Sequence, residues 1–240
     1  MLFDGFSTAR GYFLKSILVY GDSLVWGRNA SQKNRHSFND RWPNVLATSL
    51  IDVTVWEAGL GGRTTDLEYA GRPGRNGLQH LPVALLQAAP LDLVILALGT
   101  NDLFADAERK PEDTADAMRT LIATVRDLPS TSGSSVPNTN PPKVMIVSPP
   151  NCLPLSSVTG AGFPELDNLT QWLPELTKLY VKLAIEQGTY FADATKLCDP
   201  DPVDGLHLDV ENTRKLGLGI AKILALEGCA NFISRQDDKL

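Results

Sequence analysis

Four short segments of this chain carry side chains whose types and spacing can do chemistry. Gly21-Asp22-Ser23-Leu24 puts a serine just past a short apolar run. A serine at a strand-to-helix turn can expose its hydroxyl and place its own N–H at a forming helix N-terminus, and both serve a nucleophile. An ordinary helix cap would also choose Ser. Gly59-Leu60-Gly61-Gly62 is a glycine-rich turn in which backbone N–H groups can approach a ligand with no Cβ in the way. Gly99-Thr100-Asn101-Asp102 offers the Asn101 amide, able to donate to charge developing on an oxygen, although Asn and Asp also simply turn chains. Asp204-Gly205-Leu206-His207 sets a carboxylate just ahead of an imidazole. That spacing lets the carboxylate reach Nδ1, fixes the tautomer and leaves Nε2 free to accept a proton.

Each segment taken singly has a plain structural reading; the set does not. A nucleophile, oxyanion donors and an acid-oriented base are the parts of an acyl-transfer site. Asp199, Asp201 and Asp209 compete with Asp204, but Asp209 fits better as the N-cap of a helix from Val210, and the other two lie in a Pro-broken stretch. His36 and His80 have no carboxylate at this spacing. The glycine turn could instead cradle a phosphate, as in a flavodoxin-like nucleotide-binding module that does no chemistry. Yet a G-x-G-x-x-G pattern would need glycine where Thr64 stands, and no Walker A pattern is present. The G-x-S-x-G elbow of α/β-hydrolases is missing too.

Strand ends must position these groups. Short apolar runs (Ser16–Tyr20, Val53–Glu57, Leu93–Leu98, Val144–Ser148 and Thr189–Ala192) alternate with amphipathic stretches (Asp40–Leu50, Leu81–Ala88, Pro111–Asp127, Leu169–Glu186 and Val210–Leu226). That alternation predicts an α/β fold with a parallel sheet wrapped by helices. The third and fourth runs are nearly continuous, which suits strands buried on both faces. Gly188 reads as the glycine closing the fourth helix. The Ser/Thr/Pro/Asn-rich segment Pro129–Pro142 reads as a surface loop. Pro149–Asn168, holding Leu153 and Phe163, follows a strand end and reads as a wall or lid over the site, or an oligomer contact.

Composition bounds the function classes. With 240 residues, 43% of them apolar, the chain forms one domain over residues 1–240, with residues 1–15 as an N-terminal extension. A formal charge of −6 argues against sequence-independent nucleic-acid binding. No apolar run reaches the length of a membrane span. Met1–Lys15 lacks the cationic start and apolar block of a secretion signal, so the expected location is cytoplasmic. Cys152, Cys198 and Cys229 form no CxxC pair and read as scattered reduced thiols; with only 3 histidines, no metal or other cofactor is expected.

Together the four segments resemble the blocks of the SGNH, or GDSL, hydrolase superfamily, over roughly Ile17 to Leu226. The resemblance implies a three-layer α/β/α flavodoxin-like fold with a five-stranded parallel sheet of order 2-1-3-4-5. It implies Ser23 as nucleophile, His207 as base and Asp204 as its orienting acid. The Ser23 and Gly62 backbone N–H groups and the Asn101 side chain would form the oxyanion hole. Gly62 is preferred over Gly59 because the family's block ends in a Gly-x-Thr step, here Gly62-Arg63-Thr64. Glu57 stands where many members have Asn, which bears on local turn hydrogen bonding.

Finer features are similar to the bacterial arylesterase/acyltransferase branch. They include Asp22-Ser23-Leu24-Val25-Trp26-Gly27, Arg41-Trp42, Gly59-Leu60-x-x-Arg63-Thr64-Thr65 and Val147-Ser148-Pro149-Pro150. That branch implies a serine esterase that cleaves short-chain aryl and alkyl esters through an acyl-enzyme, with acyl transfer to alcohols or peroxide in some members. It also implies homo-oligomers, octamers among them, with a small-molecule ester as the partner. Carbohydrate acetylesterase and short-chain acyl thioesterase are the alternative activities. The substrate pocket is assigned to Asp22, Trp26, Leu153 and Phe163, Trp26 competing with a role as a core residue. Arg28 replaces a second aromatic found in close relatives, which argues against the dry acceptor pocket that favours acyl transfer.

Overall fold

A computed structural model describes residues 15–32, 34–131 and 141–228. Five parallel strands form one sheet: β1 (Lys15–Gly21), β2 (Val53–Gly59), β3 (Leu93–Ala97), β4 (Lys143–Val147) and β5 (Tyr190–Ala192). Their order, β2-β1-β3-β4-β5, is the one the resemblance implies. Gly21 pairs in register with Gly59 on one side and Ala97 on the other. The carboxyl ends of β1, β2 and β3 are therefore level, and the turns that follow them meet.

Alternation along each strand feeds two cores. Leu18 and Tyr20 of β1, with Val94, Leu96, Val144 and Ile146, pack under α3 (Gly77–Ala88), α5 (Pro111–Thr131) and α6 (Leu166–Gln187). Ile17 and Val19, with Ile95, Met145 and Val147, pack under α2 (Trp42–Ser49) and α7 (Val210–Leu226). Two short helices, α1 (Ser23–Trp26) and α4 (Thr100–Ala105), open directly after β1 and β3. Among the described residues no helix is long and apolar enough to cross a membrane.

Several expected boundaries move. Helix α3 starts at Gly77 rather than Leu81, because the Asn76 side chain accepts the Gln79 N–H and caps it earlier; Pro82 then sits inside the helix. Helix α2 is shorter than Asp40–Leu50, since Phe38–Asp40 forms a separate 3₁₀ turn. Helix α6 starts three residues before Leu169, so the loop after β4 ends sooner than Asn168. Helix α5 continues to Thr131, and the rest of the expected Pro129–Pro142 loop lies, as far as residue 140, outside the described residues. So do Cys229 and residues 1–14. Gly188 closes α6 in the left-handed conformation, φ 59°.

Candidate active site

The site begins with the turn after β1. The Asp22 side chain accepts the Leu24 N–H at 2.9 Å and so caps α1, which makes Ser23 the first helical residue. An N–H at that position has no partner within its helix. Close approach of β2 fixes the neighbourhood: a Cβ on Gly59 would lie 2.1 Å from the Trp26 nitrogen, so only glycine lets α1 sit against that strand end.

The last turn supplies the imidazole. His207 Nε2 lies 3.0 Å from Ser23 Oγ, and His207 Nδ1 lies 2.7 Å from Asp204 Oδ2. The other Asp204 oxygen accepts the backbone N–H groups of Leu206 and His207, at 3.0 and 2.9 Å. Burial works against the Asp204 charge, but the His207 contact and these N–H groups outweigh it and hold its carboxyl below the usual range. A hydroxyl bonded to an imidazole that a carboxylate orients from behind can be deprotonated as it attacks a carbonyl. The competing acids are engaged elsewhere. Asp209 caps α7 through Asn212, and Asp201 accepts from Ser31 and Val203. His36 is buried between Asn29 and the Leu208 carbonyl.

Donors for an oxyanion come from the two neighbouring turns. Gly62 holds φ 83°, a left-handed conformation, and lines the cleft beside Ser23 and His207. Asn101, on α4, also lines it; its Nδ2 donates to the Arg63 carbonyl at 3.1 Å and to Asp22 Oδ2 at 3.2 Å. Those two contacts fix the orientation of the Asn101 amide at the edge of the cleft.

Three residues named within the sequence motifs, Glu57 among them for its bearing on turn hydrogen bonding, act as framework in ways the sequence did not specify. Asp102 is fully buried and accepts the Thr65 N–H at 3.0 Å, the Thr65 hydroxyl, and the Thr114 hydroxyl at 3.3 Å. It ties the glycine loop to α4 and α5, and burial pushes its carboxyl up to about 6 against those donors and Arg109. Arg63 donates to the Gly21 carbonyl at 2.8 Å and the Ala58 carbonyl, and stacks over Tyr20 at 4.1 Å. Glu57, the departure from the family pattern, accepts from Arg35, Arg41 and Asn44, clamping α2 to β2.

The cleft has a volume of about 410 Å³ and is lined by Trp26, Phe104 and Phe163 together with Arg28, Tyr69, Arg72 and Arg75. Phe163 stands edge-on to His207 and to Phe104, with ring centroids 6.0 and 5.5 Å apart. Two of the residues assigned to the pocket do not line this cleft. Leu153 is absent from the lining; its N–H donates to the Gly205 carbonyl, so it braces the Asp204–His207 turn from outside. Asp22 is 3% exposed, holds Leu24 and Asn101, and lines instead a smaller hollow shared with Ser23 and His207. The arginines at 72 and 75 went unnoticed in the sequence, where Gly71-Arg72-Pro73-Gly74-Arg75 was the available signal. Cys152 and Cys198 are buried, and burial pushes their thiols up to about 11 and 12, so neither is poised as a nucleophile. Among the described residues no group of His, Cys, Asp or Glu is arranged to hold a metal ion.

Similarity to known proteins agrees with this geometry. Residues 19–212 match the GDSL-like lipase/acylhydrolase family. The aryl esterase of M. smegmatis is 35% identical, with a TM-score of 0.78 over 88% of this chain and 99% of that one. A carbohydrate acetylesterase from Sinorhizobium meliloti is 33% identical, with a TM-score of 0.78 over 89% of this chain and 99% of that one. No match to the chain is found among curated proteins. The chain belongs to the GDSL-like lipase/acylhydrolase family of the SGNH hydrolase superfamily.

Proposed function

We propose that the chain is a serine esterase that cleaves short-chain acyl esters through an acyl-enzyme. The observation that carries the reading is the unbroken chain from Ser23 Oγ through His207 to Asp204, opening on the cleft. His207 Nε2 takes the Ser23 proton as Oγ bonds to the carbonyl carbon. The negative charge moves to the carbonyl oxygen, where the Ser23 N–H, the Gly62 N–H and the Asn101 amide meet it. Collapse breaks the C–O bond, and His207 returns the proton to the leaving alcohol. Water then attacks the acyl-Ser23 ester by the same path, releasing the acid. Asp204 keeps His207 in the tautomer with its Nδ1 proton and favours the imidazolium between steps.

Trp26, Phe104 and Phe163 give the cleft apolar surface for a small acyl or aryl group. Likeness to an aryl esterase and to a carbohydrate acetylesterase supports both alcohol classes. A sugar alcohol is the second reading, favoured by Tyr69, Arg72 and Arg75 beside the aromatic side chains. An alcohol or peroxide that replaces water in the second step would give acyl transfer.

The test is initial-rate hydrolysis of p-nitrophenyl acetate, butyrate and octanoate by wild type and Ser23→Ala, with and without a primary alcohol. Rates falling with chain length and lost in the variant are expected. Equal rates in both proteins would refute the assignment, and ester formed from the added alcohol would establish transfer.

A further inference from the structure

The charge lining the cleft is opposite to that of the whole protein. The chain carries a formal charge of −6, yet Arg28, Arg72 and Arg75 line the cleft and no Asp or Glu does. Five other arginines of the described residues have acidic partners: Arg35 and Arg41 share Glu57, Arg109 pairs with Asp66, Arg119 with Glu186 and Arg214 with Asp40. Arg63 and Arg126 are held instead by carbonyl oxygens away from the cleft lining. The three in the cleft have no ion pair among the described residues. Arg75 donates only to the Gly61 and Pro73 carbonyls, and Arg72 stacks on Tyr69 at 5.0 Å. Arg28 Nε is shut off from solvent and has no hydrogen-bond partner.

Three arginines around one cleft, left without a counter-charge, make it attractive to an anion. Their position fits a substrate contact. A Cβ on Gly62 would come within 2.8 Å of Arg72 Nη1, and Arg75 Nε holds the Gly61 carbonyl at 3.1 Å. Both arginines therefore border the glycine loop that lines the cleft, while Arg28 follows the end of α1. Guanidinium forks suit planar carboxylates, which they bind with two parallel hydrogen bonds.

We propose that the preferred substrates are esters carrying a carboxylate, which the arginine-lined part of the cleft binds. This specificity rests on the esterase reading above, and its test separates the two. Neutral p-nitrophenyl acetate, turned over by wild type and not by Ser23→Ala, tests the activity alone. Specificity is tested on two matched pairs. Mono-p-nitrophenyl glutarate against p-nitrophenyl butyrate places the charge on the acyl side, and 4-acetoxybenzoate against 4-acetoxybenzamide places it on the alcohol side. Each kcat/KM is divided by the substrate's hydroxide-catalysed rate constant.

For at least one pair the charged ester is expected to exceed the neutral one more than threefold. The ratio should fall at least threefold in Arg28→Gln or Arg72→Gln, whose guanidinium groups make no hydrogen bond that folding needs, and Arg→Lys at the same position should restore part of it. Raising the salt from 0.05 to 0.5 M should lower the ratio as well. The pair that responds identifies the side that carries the charge. A ratio below three in both pairs, or one unmoved in both variants, overturns the proposal while leaving the neutral-ester activity standing.

Discussion

The Asp22 carboxylate and the Asn101 amide, 79 residues apart in sequence, are joined by a buried hydrogen bond of 3.2 Å. The same carboxylate caps the helix that begins with Ser23. One side chain therefore sets the distance between the proposed nucleophile and a proposed oxyanion donor. Asp22→Ala should lower kcat about tenfold to a hundredfold with KM little changed, since displacements of about 1 Å cost on that order. Loss of the cap should also lower the melting temperature by about 2–4 °C. Steady-state kinetics and a thermal melt of one preparation check both; an unchanged kcat would remove Asp22 from the positioning role.

Asp204→Asn keeps the size of the side chain but favours the wrong His207 tautomer. A fall in kcat of about 10⁴ with intact binding is expected. If the rate held, some other group would be orienting His207.

Removing Asn101 tests the oxyanion hole. Asn101→Ala should cost about 10²–10³ in kcat, the usual effect of one lost donor. A loss confined to KM would instead make Asn101 a substrate-binding group.

Asp102 bears on stability. Asp102→Ala would strand the Thr65 N–H and the Thr114 hydroxyl, both buried, and leave the Thr65 hydroxyl only its longer contact to Asp66. Each stranded donor costs about 1–3 kcal/mol, so a loss of at least about 2 kcal/mol and a melting point lower by about 5 °C or more are expected. Asp102→Asn keeps one acceptor oxygen and should lose less. Denaturant unfolding of the three proteins ranks them.

Two of these buried acids also give the pH dependence a sign. Burial raises Asp22 and Asp102 to about 6, whereas an unfolded chain releases such protons near 4. Folding therefore takes up protons between these values, and the contribution of the two groups to stability grows as pH falls from about 7 to about 4. Asp204, held low, works in the other direction: its contribution is present above the unfolded value and is lost as pH falls through the folded one. Moving from pH 7 to 4.5 should raise the unfolding midpoint of wild type relative to Asp22→Asn. A gap between the two that is constant with pH would refute the shift at Asp22.

What the sequence determined was local. Asp204 and His207 are three residues apart, so the turn alone brings carboxylate to imidazole, and the spacing is legible without a fold. Apolar runs separated by amphipathic stretches likewise foretell parallel strands, because each pattern follows from the repeat of its own backbone. The level ends of β1, β2 and β3 come from the register of the folded sheet, which an unbroken apolar run such as β3 does not specify by alternation.

Tertiary structure decided everything that depends on which way a loop turns. Leu153 and Phe163 sit in the same irregular segment, yet Phe163 faces His207 and Leu153 braces Gly205 from behind. No periodicity distinguishes the sides of a loop, so the sequence could not separate them. Asp102 reaches Thr65 across 37 residues, and Arg28, Arg72 and Arg75, distant in sequence, line one cleft. Such placements arise only when the sheet closes, because burial and charge are properties of the assembled surroundings rather than of neighbours along the chain.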